Sequence, residues 1–290
     1  MYEVKAMSIN VGGRLMDLSR PRVMGIVNVT PDSFFAQSRT AEADEVEARA
    51  RTLALEGADL IDVGACSTRP GAIDPGTQEE MRRLKVGVEA VRRAAPGIPV
   101  SVDTWRADVA RMAVEELGAD IVNDISGGDM DPDMLPTVAR LGVPYVLTHL
   151  KGTPQTMQEA PHYDCLLREV MVALAERVQR LRDLGAKDII LDPGFGFGKT
   201  LDHNYQLLAH LEEFRMMELP VLVGVSRKSM VYRLLGTGPD EALNGTTVVH
   251  TIALMKGANI LRVHDVRQAV EAVRIVEQTR KNRLCFSTLA

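Results

Sequence analysis

Cysteine is scarce in this chain. The three residues, Cys66, Cys165 and Cys285, are far apart, odd in number and without a Cys-x-x-Cys spacing. That distribution argues against a disulfide framework and a structural zinc site, and it fits a reducing, cytoplasmic setting. Long apolar runs are also missing. Residues 1–21 alternate polar and apolar without the apolar block of a signal peptide, and no later run approaches membrane-spanning length. Basic charge is not in excess: 34 Lys and Arg against 39 Asp and Glu leave a formal net charge of -5. A broad footprint for nucleic acid or anionic membrane is therefore not expected, although a local basic pocket can still take a small anion. Neither Cys66 nor Cys165 reads as a nucleophile, since Cys66 has no base beside it in sequence and Cys165 lies in a helical pattern. Low-complexity segments are absent as well.

What the chain does have is 46% hydrophobic residues in a length of 290, enough for one α/β barrel that uses nearly all of it. Eight short apolar runs end in a polar or charged residue: Asn28, Asp62, Asp103, Asp124, His149, Asp192, Ser226 and Arg262. Strands are expected near Val23–Asn28, Leu60–Val63, Val100–Asp103, Ile121–Asp124, Tyr145–Thr148, Ile189–Asp192, Val221–Val225 and Ile260–Val263. Their near-continuous apolar character suits parallel strands buried on both faces. A loose repeat, Glu56-Gly57-Ala58-Asp59, Leu117-Gly118-Ala119-Asp120, Leu184-Gly185-Ala186-Lys187 and Lys256-Gly257-Ala258-Asn259, separates helical spacing from the next strand, and its glycine suits a left-handed turn past a helix end. The expected fold is a single α/β domain over residues 1–290, a (β/α)8 TIM barrel. Glu3–Asn10 and Arg14–Leu18, joined by Gly12-Gly13, read as an N-terminal β-hairpin, with residues 1–20 capping the barrel bottom. A doubly wound open sheet is the rival. In a barrel the chemistry sits where the strands end, so the eight polar termini mark one shared site.

The loops at that end are informative. Thr30-Pro31-Asp32-Ser33-Phe34-Phe35 and Gly64-Ala65-Cys66-Ser67-Thr68-Arg69-Pro70-Gly71-Ala72 are long and read as lids or as solvated connections, with Arg69 offering fork donors to an anion. Asp192-Pro193-Gly194-Phe195-Gly196-Phe197-Gly198-Lys199 only superficially resembles a nucleotide phosphate loop, because Pro193 stands where that motif needs glycine. Its glycines suit a backbone pressed, with Phe197, against a flat ligand; the alternative is a flexible turn with a capping Asp. Ser226-Arg227-Lys228-Ser229 and Arg262-Val263-His264-Asp265 follow the seventh and eighth strands, where barrels frequently bind phosphate, and alternation puts Arg262 and His264 on one side. Asp103 and Asn123 offer an acceptor and an amide to one ring edge, or else Asp103 caps the helix beginning near Trp105. His149 reads equally as a wall of the site or as loop packing.

Taken in order, Asn28-Val29-Thr30-Pro31-Asp32-Ser33-Phe34, Ser67-Thr68-Arg69-Pro70-Gly71, Ser101-Val102-Asp103-Thr104, Asn123-Asp124-Ile125-Ser126-Gly127-Gly128, the Asp192–Lys199 string, Ser226-Arg227-Lys228-Ser229 and Arg262-Val263-His264-Asp265 closely resemble the dihydropteroate synthase family over nearly the whole chain. The resemblance implies a transferase joining 6-hydroxymethyl-7,8-dihydropterin diphosphate to p-aminobenzoate, a sulfonamide target, and a homodimer using the last helices. It implies that Asp103, Asn123, Asp192 and Lys228 hold the pterin, and that Asn28, Arg69, Arg262 and His264 hold the diphosphate, Asn28 through Mg2+. Thr68, Arg69, Pro70, Phe34, Phe197 and Ser229 would shape the p-aminobenzoate subsite. Asp103, Lys228, Arg262, His264 and Arg69 would carry catalysis. Loss of diphosphate leaves a cation beside an electron-rich ring, so the protein needs to neutralise the anion and orient the ring, not to supply a nucleophile.

Two departures stand out. Gly64-Ala65-Cys66 replaces the family's usual Gly-Gly-Glu, and Phe35-Ala36-Gln37-Ser38 replaces its Ser-Asp-Gly-Gly. The alternatives are a methyltetrahydrofolate-dependent pterin-binding methyltransferase, against which Arg69, Arg262 and His264 speak because it has no leaving diphosphate, and a non-catalytic pterin-binding paralogue.

Overall fold

The computed structural model describes residues 7–29, 39–67, 73–153, 156–157 and 161–282. Two short strands, β1 (Ser8–Val11) and β2 (Arg14–Asp17), pair antiparallel across Gly12 and Gly13. Eight parallel strands follow: β3 (Arg22–Asn28), β4 (Leu60–Gly64), β5 (Val100–Asp103), β6 (Ile121–Asp124), β7 (Tyr145–Thr148), β8 (Ile189–Asp192), β9 (Leu222–Val223) and β10 (Ile260–Val263). They run in the order 8-7-6-5-4-3-10-9, and a parallel bridge between Leu191 and Val221 joins the two ends. The sheet is therefore a barrel, not the open doubly wound alternative.

Helices alternate with the strands: α1 (Arg39–Glu56), α2 (Thr77–Ala94), α3 (Ala107–Glu115), α4 (Met134–Leu141), α5 (Leu166–Asp183), α6 (Leu201–Ala209), α7 (Ser229–Leu235), α8 (Leu243–Met255) and α9 (Val266–Lys281). The glycine repeat does what its position requires, since Gly57, Gly118, Gly185 and Gly257 all take positive φ between a helix and the next strand.

Two apolar cores result. Outward-facing strand residues such as Val63, Val102, Val122, Leu147 and Val263 pack with the inner faces of the helices, including Leu53, Val88, Val170 and Val273. Inward-facing residues near the strand starts, Met24, Leu60, Ile121, Val146, Ile190, Leu222 and Ile260, pack instead with Ile9, Val11 and Leu18. The hairpin strands thus sit against the barrel bottom, with Met7 and Met16 leaning on the same cluster, while residues 1–6 of the expected hairpin lie outside the described residues.

Candidate active site

Side chains alternate along a strand, so each inward residue at the barrel bottom is followed, two positions on, by one nearer the mouth. That second tier is polar: Asp62 after Leu60, Asn123 after Ile121, Asp192 after Ile190 and Arg262 after Ile260. Register places Asn28, Gly64, Asp103 and Asn123 side by side on four neighbouring strands. Gly64 leaves a gap in that row. A Cβ there would lie 3.5 Å from Asn28 Oδ1 and 3.7 Å from Asp103 Oδ2, so the missing side chain lets both oxygens face one space.

Arg262 ties this tier together. Its Nε donates to Asp62 Oδ2 at 2.6 Å and its Nη2 to Asp103 Oδ2 at 2.6 Å, while Asn123 Nδ2 donates to Asp62 Oδ2 at 3.1 Å. One guanidinium thus serves two buried carboxylates. Burial raises the Asp103 carboxyl above its ordinary range, Arg262 pulls it back, and Asp62, Asp124 and Glu80 add to the rise. Burial works against the charge on Arg262, but Asp62 and Asp103 outweigh it and the guanidinium stays charged. The result is an inner wall with a surplus of acceptors and a proton more readily held by Asp103 than by an exposed acid.

A second group faces the first across the barrel. Asp192 Oδ1 accepts from Gly194 N at 2.8 Å, while a Cβ on Gly224 would lie 4.0 Å from Asp192 Oδ2 and 3.9 Å from Lys228 Nζ. Lys228 donates to the Phe195 carbonyl and lies 4.3 Å from the centre of the Phe197 ring. Burial lowers its ammonium to about 8, with Asp192 working to restore the charge. Carboxylate, ammonium and aromatic face therefore meet at one end of a cleft whose floor is a glycine.

Nearer the rim, Ser226 Oγ accepts from His264 N at 3.1 Å and lies 3.1 Å from His264 Nδ1, which leaves the Nε2 edge for another partner. Burial, with Arg262 adding to it, lowers His264 to about 4, so the ring is neutral at pH 7. Arg227 is occupied elsewhere, its Nε and Nη2 paired with Asp265 and its Nη1 with the Pro239 and Asp240 carbonyls.

The structure brings Asn28, Asp103, Asn123, Asp192, Phe197, Lys228, Ser229, Arg262 and His264 to the mouth end of the barrel. Phe34, Thr68, Arg69 and Pro70 lie outside the described residues. The helix-capping alternative for Asp103 is overturned, because α3 starts only at Ala107, whose N–H goes to Asp131 Oδ2 at 2.8 Å, and Asp103 turns inward to Arg262. Asp192 does cap its turn, yet it also faces the cleft.

Asp62 was read from the sequence only as a strand end, yet it is fully buried at the centre of the cluster, and its Oδ1 has no partner. The signal was a charge inside the apolar run Leu60-Ile61-Asp62-Val63. Glu80 was missed altogether. Fully buried on α2, it accepts from Thr104 Oγ1 at 2.6 Å and pairs with Arg106, which also holds Asp74 beyond the second loop. An acid therefore does stand near Cys66, supplied by a helix. Burial, with Glu80 and Asp74 adding to it, pushes the Cys66 thiol up to about 12, an environment that disfavours the thiolate. Lys199 does not behave as a phosphate-loop lysine either: it is buried among carbonyls. Among the described residues no group of three or more His, Cys, Asp or Glu is placed to hold a metal ion.

The profile of a family described as pterin binding enzyme matches residues 24–264. The chain is 46% identical over 275 residues to the dihydropteroate synthase of Escherichia coli strain K12, covering 94% of this chain and 96% of that one. Among solved structures, the dihydropteroate synthase of Yersinia pestis in a sulfonamide drug complex superposes with a TM-score of 0.88 at 44% identity, covering 95% of this chain and all of the other. That of Xanthomonas albilineans with 4-aminobenzoic acid gives 0.88 at 40% identity, covering 97% of this chain and all of the other.

Proposed function

The chain belongs to the dihydropteroate synthases of the pterin-binding enzyme family, and from that membership we propose how its own residues perform the condensation. It is a transferase that joins 6-hydroxymethyl-7,8-dihydropterin diphosphate to p-aminobenzoate, giving 7,8-dihydropteroate and diphosphate. The observation that carries the site assignment is the convergence of Asp62, Asp103, Asn123, Asp192, Lys228 and Arg262 on one cleft above an apolar plug.

A pterin ring presents donors and acceptors along its edges. Asp192 and Asp103 accept from it, Asn123 supplies an amide, and Lys228 donates over the Phe195 carbonyl and the Phe197 face. In the reaction the bond between the exocyclic methylene carbon and the diphosphate oxygen breaks, and the electron pair leaves with the diphosphate. The amine nitrogen of p-aminobenzoate then forms the new bond to that carbon and gives up a proton. The protein's part is electrostatic: buried carboxylates beside the ring favour the developing cation, and Arg262 and the Nε2 edge of His264, with Arg69, receive the departing anion. No covalent enzyme intermediate is needed, which fits the protonated thiol of Cys66.

Mg2+ fits the donor chemistry at the rim. It prefers hard oxygens and commonly takes few of them from protein and the rest from phosphate and water. Asn28 is exposed at its strand end, with its amide oxygen facing the gap over Gly64, and would hold the ion together with the diphosphate. Bound there, it would neutralise negative charge on the leaving group.

A homodimer through the last helices is supported by apolar side chains left open there: Leu234 and Leu235 on α7, Val248, Ile252 and Met255 on α8, and Ile275 on α9. No helix among the described residues is long and apolar enough to cross a membrane, and Cys66 and Cys165 are free thiols, in keeping with a cytoplasmic setting. The function is tested by incubating the purified protein with the pterin diphosphate, Mg2+ and labelled p-aminobenzoate. Labelled dihydropteroate is expected, and its absence under conditions where a known synthase forms it overturns the reading.

A further inference from the structure

Behind the cleft, on the side of the glycine-rich loop away from Lys228, lies a buried lysine that the reaction does not use. Lys199 is only 3% exposed. Its amino group lies within reach of four polar atoms: His149 Nδ1, the Gly194 carbonyl and the Phe197 carbonyl, each at 2.9 Å, and the His149 carbonyl at 3.4 Å. As an ammonium it donates to them, and as a neutral amine it donates to the carbonyls and accepts from a protonated His149 Nδ1, so the same contacts hold in either form. His149 is 5% exposed, and its backbone N–H goes to the Asp192 carbonyl at 2.9 Å, so the imidazole is anchored to the strand that carries Asp192.

The loop between Asp192 and Lys199 is held on both sides. Lys228 takes the Phe195 carbonyl from the cleft, Tyr163 Oη donates to the Gly198 carbonyl at 2.9 Å, and Lys199 takes Gly194 and Phe197 from behind. Gly194 has no slack against His149: φ is +74°, and a Cβ would fall 1.8 Å from the His149 carbonyl oxygen. We propose that Lys199, clamped on His149, is a positioning residue for the condensation, fixing the glycine-rich loop so that the Phe197 ring and the Lys228 ammonium present one surface to the substrates.

The electrostatics agree with the geometry. Burial pulls the Lys199 ammonium down to about 7, and Asp192 acts to keep it charged while Lys228 opposes it. Burial, with Lys199 adding to it, lowers His149 to about 2, so the imidazole remains neutral. The charge on Lys199 in turn helps hold Asp192 as a carboxylate.

The inference rests on the synthase reading, and its test is kept separate from it: the wild type must form dihydropteroate before any variant is compared. Lys199→Met and His149→Leu are then assayed by steady-state kinetics in both substrates, with the folded fraction measured by circular dichroism. Lys199→Met is expected to raise KM for p-aminobenzoate about tenfold or more, with a smaller change in kcat per folded molecule. His149→Leu, which keeps the lysine and removes one of its partners, should move KM in the same direction by less, and the double variant should be no worse than Lys199→Met alone. A purely structural role would reduce the folded fraction and leave both KM values unchanged, and that result overturns the proposal. So does strict additivity of the two substitutions. Should Lys199→Met fail to fold, the KM of His149→Leu decides the matter.

Discussion

Arg262 Nε donates to the fully buried Asp62 at 2.6 Å, bridging β10 to β4 past the strand between them. Removing the guanidinium would leave a carboxylate with no water and no cation. Arg262→Ala is therefore expected to destabilise the fold by about 3–5 kcal/mol, in addition to weakening binding of the pterin diphosphate. Adding Asp62→Asn should restore part of the stability and none of the diphosphate affinity. Urea unfolding and calorimetric titration of the three proteins check both halves; an Arg262→Ala protein as stable as wild type would show that Asp62 has no need of its partner.

Gly224→Ala separates the site from the scaffold. The added methyl would meet its nearest neighbours, Lys228 Nζ, Asp192 Oδ2 and Arg262 Cβ, at 3.9–4.0 Å, which is ordinary contact. Stability should change by less than about 1 kcal/mol, within the range of mild substitutions, while pterin affinity falls sharply because the methyl occupies the floor of the cleft. Thermal unfolding and pterin titration measure the two effects, and normal pterin binding would place the ring elsewhere.

Asp192→Asn keeps an oxygen for the Gly194 N–H but sets an amide donor where a carboxylate faces Lys228. The ring loses a charged acceptor, and a charge-assisted hydrogen bond corresponds to about 10–100-fold in affinity. Calorimetry with a pterin lacking phosphates isolates this contact from the diphosphate; undiminished binding would reduce Asp192 to a turn-capping residue.

The barrel was legible because parallel strands covered on both faces leave uninterrupted apolar runs, and five of the eight expected strands match the observed bounds, from Val100–Asp103 to Ile260–Val263. Within the expected Val221–Val225, β9 spans only Leu222–Val223, with Val221 joined to Leu191 by a single bridge. The candidate site was legible wherever a polar residue closed such a run and turned into the barrel, as at Asp103, Asp192 and Arg262. It was obscure where the partner came from the far side of the barrel. Nothing in the local sequence joins Arg262 to Asp62, 200 positions away, or Lys199 to His149, because barrel closure creates those contacts. Asp124 shows the converse. It also ends a strand, but its side chain takes Tyr145 Oη at 2.7 Å and the Ser126 and Gly128 N–H groups, a buried structural knot outside the cleft.

A pH prediction follows from His250, buried on α8 with its Nε2 unpartnered. Burial lowers the imidazole to about 4 in the folded protein. Unfolded, it takes up a proton near its ordinary value of about 6.5. Between those values the unfolded state binds the extra proton, so this residue costs stability as pH falls through 6.5, by up to about 1.4 kcal/mol per pH unit, and the loss levels off below about 4. His250→Leu should remove that slope. The difference in unfolding free energy between pH 7.5 and pH 5.0, compared with wild type in the same buffers, reads a single proton; identical slopes in the two proteins would contradict it.

The packing of Ile9, Val11 and Leu18 against the strand starts closes that end of the barrel and leaves the mouth as the approach to the polar tier. On the proposed assignment, a ring seated at the depth of Asp192 enters past the level assigned to the second substrate, so the ligands would form a queue in which the deeper one enters first. An amine that arrives early stands across the entrance and has to step back before the pterin can pass. The condensed product spans both depths and departs as one piece along the same path. The seal at the bottom thereby imposes an order of events at the top, though no residue of the hairpin reaches the reacting atoms.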